Sequence, residues 1–455
     1  MTATATAPRL ADEFYAALKS RGPEIEARYR SLTPASAELH ERAKRVVPGG
    51  YTRDSVIRRP YAPYIAKGAG ATLVDRDGRA ITDMWFNATS LALGHADARV
   101  VAAVNAQLGL GSAYFAPTES EIELAATICE RLPSAERVRF ANSGSEAVMF
   151  AVRFARAFTG RDLVVKFEGS YHGTYDDVYW SVSPPSDRYG PPDRPAPVPE
   201  SPGLARGDGR VMVLPYNDTD ALERALARRG DEIATVLVEP VANHIGLIAP
   251  KPGFLRRARE LCDAHGAVLI FDEVIAFRLG YNGAQGLIGV TPDLTTLGKV
   301  IGGGFPVGAV AGRADILALS EPGRPGRVSH AGTFNANPIT MAAGKATMDA
   351  LTPEAFAALD AAGEKIRSRL RRMCAGLPLQ ITGAGSLFKI SAARHEITDY
   401  RTAATVDRDW QEIAALALLV EGFLLAPSLH GCVSTATTDD HVEGFLAAFA
   451  DVLGA

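Results

Sequence analysis

The chain has 455 residues, 47% of them hydrophobic, with 48 basic against 52 acidic side chains and a formal net charge of −4. That length supports one large core and a smaller one, and the mild acidity without a basic run argues against a nucleic-acid or anionic-membrane surface. Cys129, Cys262, Cys374 and Cys432 show neither CxxC nor zinc-ligand spacing, no stretch approaches the roughly 20 apolar residues of a membrane span, and residues 1–10 lack a signal pattern, so a cytoplasmic protein without a metal site is expected.

Residues 1–35 read as a helical or loosely docked extension ending at Leu32-Thr33-Pro34. A helix is expected from Ser36 to Arg45, stopped by Pro48-Gly49-Gly50, and two strands, Ala71 to Val74 and Ala80 to Met84, flank an Asp-Arg-Asp-Gly turn. Two amphipathic helical patterns follow between Asp97 and Arg131. Strands then alternate with helices for some two hundred residues, which predicts a parallel sheet in an α/β fold. The expected strands are Val138–Ala141, Leu163–Phe167, Val211–Leu214, Thr235–Glu239 and Val268–Phe271, with helices beginning near Ser145, Asp218 and Pro252. From Ser181 to Arg210 the composition turns to Pro, Ser, Gly, Asp and Arg, which reads either as a disordered surface insertion or as a lid over the site. Beyond Ala336 come further helices, a short strand near Leu387–Ile390 and a last helix from Asp440 to Leu453. The expected division is an extension (1–35), an N-terminal segment packing with a small domain (36–85), a large domain (86–340) and that small C-terminal domain (341–455).

Three motifs carry chemistry. Phe140-Ala141-Asn142-Ser143-Gly144-Ser145-Glu146-Ala147 sets a Ser/Gly turn between strand and helix, where free backbone N–H groups and the helix dipole favour a phosphate. Taken alone it also reads as an ordinary helix cap. The apolar run Val268–Phe271 ends in Asp272, which should emerge at the carboxyl edge of the sheet, where open α/β sheets bind ligands. A protonated pyridine nitrogen is one fitting partner for that carboxylate, and a turn cap is the plainer alternative. Lys299 closes the segment from Pro292 to Gly298 and is followed by Gly302-Gly303-Gly304, which leaves room for a desolvated, nucleophilic amine, although most lysines are simply solvated.

In order, SGSEA, GSYHG, VEPVANHIG, LIFDEV, TPDLTTLGKVIGGGFPVGA and GTFNANP resemble the class III aminotransferases, fold-type I enzymes that use pyridoxal 5'-phosphate. Within that family the likeness is to glutamate-1-semialdehyde 2,1-aminomutase and to relatives acting on β- or D-amino acids, and it covers roughly Pro48 to the C-terminus. The resemblance implies a large domain with a mostly parallel sheet and a smaller α+β domain. It implies that Lys299 carries the cofactor as a Schiff base and shuttles protons, and that Asp272 partners the pyridine nitrogen. Ser143, Gly144 and Ser145 would hold the phosphate, Tyr171 would stack on the ring, and Glu239 and Asn243 would lie near the 3-hydroxyl. Thr333 would reach the phosphate in a neighbouring subunit, so the enzyme should be a homodimer acting on a small-molecule amino donor and a keto-acid acceptor.

Two departures bear on which reaction is run. Ala88 stands where the mutases carry a Trp, and the segment Ala426–Gly431 lacks a Glu that they carry. Leu429 and His430 occupy the region where β-amino acid transaminases often have an Arg. The departures from the mutases weigh against the intramolecular mutase reaction; amino transfer between two molecules is the leading reading, with the mutase reaction and a racemase as alternatives that fold and cofactor do not separate. Arg53 is the candidate grip for a substrate carboxylate, since a guanidinium binds one bidentately, and Trp85 and His430 are candidate pocket residues. A surface arginine, core packing and a structural loop histidine are the plainer readings of the three.

Overall fold

The computed structural model describes residues 6–205 and 209–454. It divides into two compact units, one of Met1–Asp97, Ala358–Ile397 and Thr405–Ala455, the other of Ala98–Ala357 and Thr398–Ala404.

The second unit is built on a seven-stranded sheet. Its strands are β1 (Arg137–Ala141), β2 (Leu163–Phe167), β3 (Val211–Leu214), β4 (Ile233–Val238), β5 (Val268–Asp272), β6 (Leu294–Gly298) and β7 (Gly308–Gly312), in the spatial order β1-β7-β6-β5-β4-β2-β3. All pairings are parallel except those of β7, which runs antiparallel to β1 and β6. Every residue of β2, β4, β5, β6 and β7 is buried, which is why β4 and β5 read as near-continuous apolar runs rather than alternating ones. The helix Gly144–Thr159 closes one face with Val148, Phe150, Ala151, Val152, Phe154 and Ala155; it starts where Ser143 Oγ accepts from Glu146 N and stops at left-handed Gly160.

The alternation predicted from the sequence is present, with two strands added. The run at Leu294–Gly298 is β6, and Gly308-Ala-Val-Ala-Gly312 is β7, whose small residues give little apolar signal. Small residues are needed there, since a Cβ on Gly308 would lie 2.0 Å from Ser143 O. The Pro-rich stretch carries only a short 3-10 turn, Ser186–Arg188, and an isolated bridge between Trp180 and Pro199. It is nonetheless anchored, with Ser181, Val182 and Val198 buried; residues 206–208 of that stretch lie outside the described residues.

The first unit starts with the helices Thr6–Ser20, Gly22–Leu32 and Pro34–Lys44. Tyr15 is buried and its hydroxyl donates to Pro378 O at 2.7 Å, so the N-terminal extension is docked within this unit. A four-stranded sheet (Ile65–Ala69, Thr72–Asp75, Ala80–Asp83, Phe423–Leu424), a three-stranded one (Gln380–Thr382, Leu387–Ser391, His430–Cys432) and the helices Arg408–Val420 and Asp439–Leu453 also belong to it. Among the described residues no helix is long and apolar enough to cross a membrane.

Candidate active site

The sheet brings most of the candidate residues to one edge. β1, β2, β4, β5 and β6 all point the same way, so Ser143–Ser145, Tyr171, Glu239, Asp272 and Lys299 follow or close their carboxyl ends. The register is close: Asp272 pairs with Thr296 of the adjoining strand, and Lys299 comes three residues after Thr296, opening the turn that follows β6. Gly308 pairs with both Ala141 and Gly298, which levels the ends of β1 and β6.

Asp272 is 6% exposed and held on three sides. Thr296 Oγ1 and Val274 N each donate to its Oδ1 at 3.1 Å, and His172 Nδ1 lies 2.8 Å from its Oδ2. Such a set fixes the carboxylate's direction. Lys299 has a left-handed backbone, φ +50°, a costly conformation for a residue with a side chain. Burial pulls its amine below the usual lysine range, while the charges of Asp272 and Glu239 act in the opposite sense.

Around them the loops pack tightly. A Cβ on Gly144 would sit 3.0 Å from a Val274 methyl, one on Gly298 would lie 3.7 Å from Gly144 Cα, and one on Gly173 would meet Ser145 Oγ at 2.3 Å. The helix terminus at Gly144, the turn after β5 and the loop carrying Tyr171 therefore touch. Tyr171 N and Asn243 N donate to the two carboxylate oxygens of Glu239, at 3.2 and 3.0 Å. The Tyr171 ring is 42% exposed, and His244 stacks beside it at 6.0 Å. Burial and then Asp272 push the Glu239 carboxyl up to about 8. A phosphate fits the free N–H groups at Gly144, and an aromatic cation fits the edge where Asp272 points.

Sequence reasoning missed three residues here. His172 lay inside the quoted GSYHG, from which only the tyrosine was taken. Thr296 reads as an ordinary strand residue. Lys166, on β2, is fully buried, pushed down to about 7 by desolvation, and donates to Ser170 O at 2.9 Å and to Trp180 O.

Thr333 stands apart, on an exposed stretch with Phe334 at 59% exposure. Arg53, Trp85 and His430 belong to the first unit. Arg53 Nη2 donates to Asn87 Oδ1 at 2.9 Å, and the Trp85 and His430 rings lie 5.8 Å apart. Phe86, Asn87, Ala88 and Thr89 all have positive φ, a left-handed turn without glycine whose start is held by Asp83 Oδ1 accepting from Trp85 N and Phe86 N, both at 2.8 Å.

Residues 56–438 match the family model for "Aminotransferase class-III". The chain is 43% identical over 426 residues to the glutamate-1-semialdehyde 2,1-aminomutase of Methanothermobacter thermautotrophicus, covering 92% of this chain and 98% of that protein. Among solved structures it is similar to an omega-transaminase from Sphaerobacter thermophilus (45% identity, TM-score 0.88, 92% and 97% of the two chains). It is also similar to a beta-phenylalanine aminotransferase from Variovorax paradoxus (36%, TM-score 0.87, 96% and 97%). The chain belongs to the class III aminotransferases, pyridoxal-phosphate-dependent enzymes of fold type I.

Proposed function

We propose that this enzyme moves an amino group from an amino acid or amine to a keto acid, with Lys299 as the catalytic amine and Asp272 as the partner of the cofactor's ring nitrogen. The observation that carries the reading is the common sheet edge at which Lys299, Asp272 and the Gly144 helix terminus meet.

Pyridoxal 5'-phosphate, when bound, supplies an electron sink beside the substrate's Cα. Asp272, held in place by Thr296, Val274 N and His172, would keep a proton on the ring nitrogen. The Lys299 amine, less basic for being buried, would take up the proton that leaves the substrate's Cα. Ser143, Gly144 and Ser145 would bind the phosphate, Tyr171 would stack on the ring, and Glu239 with Asn243 would lie near the 3-hydroxyl. Arg53 is the proposed grip for a substrate carboxylate, with Trp85 and His430 as further candidates for substrate contact. A cytoplasmic address rests on the separated cysteines.

A homodimer is part of the reading. The helix Ala98–Leu110 buries none of its residues in the single chain, and Val101, Leu108, Leu110 and Phe115 are exposed. A second copy would cover this apolar face and take Thr333 to its own phosphate site.

The intramolecular mutase reaction is the second reading, favoured by the identity to the archaeal aminomutase. A panel of amines and keto acids, including glutamate-1-semialdehyde, separates the two. Release of a keto product with stoichiometric amination of the acceptor supports the transaminase. Conversion of the semialdehyde to 5-aminolevulinate as the dominant turnover favours the mutase, and no turnover of any pair rejects both.

A further inference from the structure

Arg401 lies in a short helix, Tyr400–Ala403, started by a reciprocal cap between Asp399 and Thr402. Residues Thr398–Ala404 belong to the second unit, although the chain on either side of them belongs to the first. The guanidinium uses nearly all its donors. Nε and Nη2 donate to the two oxygens of Glu168 at 2.9 and 3.2 Å. Nη2 also donates to Tyr189 O at 3.1 Å and Pro191 O at 3.3 Å, and Nη1 donates to Gly190 O at 3.2 Å. Its Cζ lies 4.9 Å from the centre of the Tyr189 ring. The neighbouring Tyr400 hydroxyl donates to Pro184 O at 2.9 Å, and its ring meets Tyr189 edge-on.

Two segments are joined at this point. One is the Pro-rich loop, whose base is tied by Ser181 and by Glu200, which accepts from Val182 N and Ser183 N. At residues 184–191 contacts out of the loop run to Tyr400 and Arg401, and nearby Asp193 forms an exposed 3.8 Å ion pair with Arg224, which contributes little. The other segment is the turn that leaves β2. Glu168 opens it and is 2% exposed; burial pushes its carboxyl up, and Arg401 pulls it down. Gly169, at φ +81°, comes next, and a Cβ there would lie 2.5 Å from Tyr400. Tyr171 and His172 follow directly.

We propose that Arg401 is a positioning residue: by gripping Glu168 and the carbonyls of Tyr189, Gly190 and Pro191 it locks the Pro-rich loop to the turn that carries Tyr171 and His172, and so governs how firmly the site keeps its cofactor. The half of the proposal that concerns cofactor retention rests on the function proposed above; the half that concerns the loop does not. A planar five-donor fork is required, because one ammonium cannot serve a carboxylate and three carbonyls together. A cavity of about 440 Å³ opens beside the pair, lined by Glu168, Tyr216, Asn217, Asp399, Tyr400 and Arg401 among others. Loss of the guanidinium therefore admits water to Glu168 rather than collapsing a dry core.

The test is trypsin cleavage after Arg188, measured on the full-length protein with and without added pyridoxal phosphate, together with the rate of cofactor release followed by absorbance. Arg401→Met should speed cleavage after Arg188 by about tenfold or more, because proteolysis follows the open population of the loop. Cofactor release should quicken in parallel, and Arg401→Lys should fall between the variant and the wild type. Should Arg401→Met fail to fold by circular dichroism, Glu168→Gln, which keeps the shape and removes the charge, is expected to open the loop in the same direction. Wild-type cleavage rates in the folded variants would overturn the lock. Faster cleavage with unchanged cofactor release would overturn its link to the site. A wild-type protein that binds no pyridoxal phosphate would instead reject the proposed function and leave the cleavage result standing.

Discussion

His172 Nδ1 lies 2.8 Å from Asp272 Oδ2, on a ring that is 1% exposed and whose Nε2 meets no partner among the described residues. An ionised carboxylate only accepts, so the proton of this hydrogen bond sits on Nδ1, and the deep burial that lowers the imidazole pKa keeps Nε2 bare. A neutral histidine thus donates to Asp272 without cancelling its charge. Replacing it by Phe, which fills the space and donates nothing, should lower kcat by about tenfold or more, the cost of one hydrogen bond to a charged group. Steady-state kinetics at saturating substrate checks this; an unchanged kcat would show that Thr296 and Val274 suffice.

Gly144 has no room to grow. A Cβ at that position would stand 3.0 Å from one Val274 methyl and 3.1 Å from the other, so Gly144→Ala must push the helix terminus away from the turn after Asp272. Overpacking of this kind costs about 1–3 kcal/mol, and here it should appear as weaker pyridoxal phosphate binding. The double variant Gly144→Ala, Val274→Ala removes both methyls and should recover most of the affinity. Fluorescence titration of the cofactor measures both, and additive losses would show that the contact is irrelevant.

Glu239 should leave a signature in stability against pH. Its folded value is pushed up to about 8, by burial and then by Asp272, and is opposed by Asn243 N, Tyr171 N and Lys166; the Lys299 amine also feels its charge. An unfolded glutamate titrates at about 4.3. A raised folded value means that its contribution is fully present below about pH 4 and is lost as the pH rises through about 8. In urea unfolding of the cofactor-free protein, Glu239→Gln should therefore gain on the wild type between pH 5 and pH 9. Parallel pH curves for the two proteins would contradict the burial argument.

The exposed apolar face predicts its own disruption. Leu110→Glu with Phe115→Glu places two charges on the proposed self-association surface, and the protein should elute as a monomer from a sizing column. Thr333→Ala should leave the dimer intact while weakening cofactor retention by about tenfold, the value of one hydrogen bond to phosphate. A Thr333→Ala protein that retains the cofactor like the wild type would remove that residue from the neighbouring site.

Legibility in the sequence followed the range of the interactions. Asp272 and Lys299 were visible because one closes and the other directly follows a buried strand, so the segment before each marks its place. The Gly144 turn was visible for the same local reason. β7 was not, because glycine and alanine are demanded there by the approach of Ser143 O rather than by hydrophobicity. The left-handed turn Phe86–Thr89 contains no glycine to announce it, and its backbone is set by Asp83 instead. Arg401 and Glu168 are 233 positions apart, and no periodicity links them. The Pro-rich loop read as disordered or lid-like because partners that hold it, Tyr400 and Arg401 among them, lie some two hundred positions away in the sequence.

Two buried lysines with depressed basicity flank the site, Lys299 and Lys166, and only one is proposed to bond the cofactor. Borohydride reduction of the cofactor-loaded protein, which makes the bond between amine and cofactor permanent, followed by peptide mass spectrometry, identifies the lysine directly. The label is expected on Lys299 alone. A label on Lys166, or a protein that takes up the cofactor and carries no label, would contradict the account.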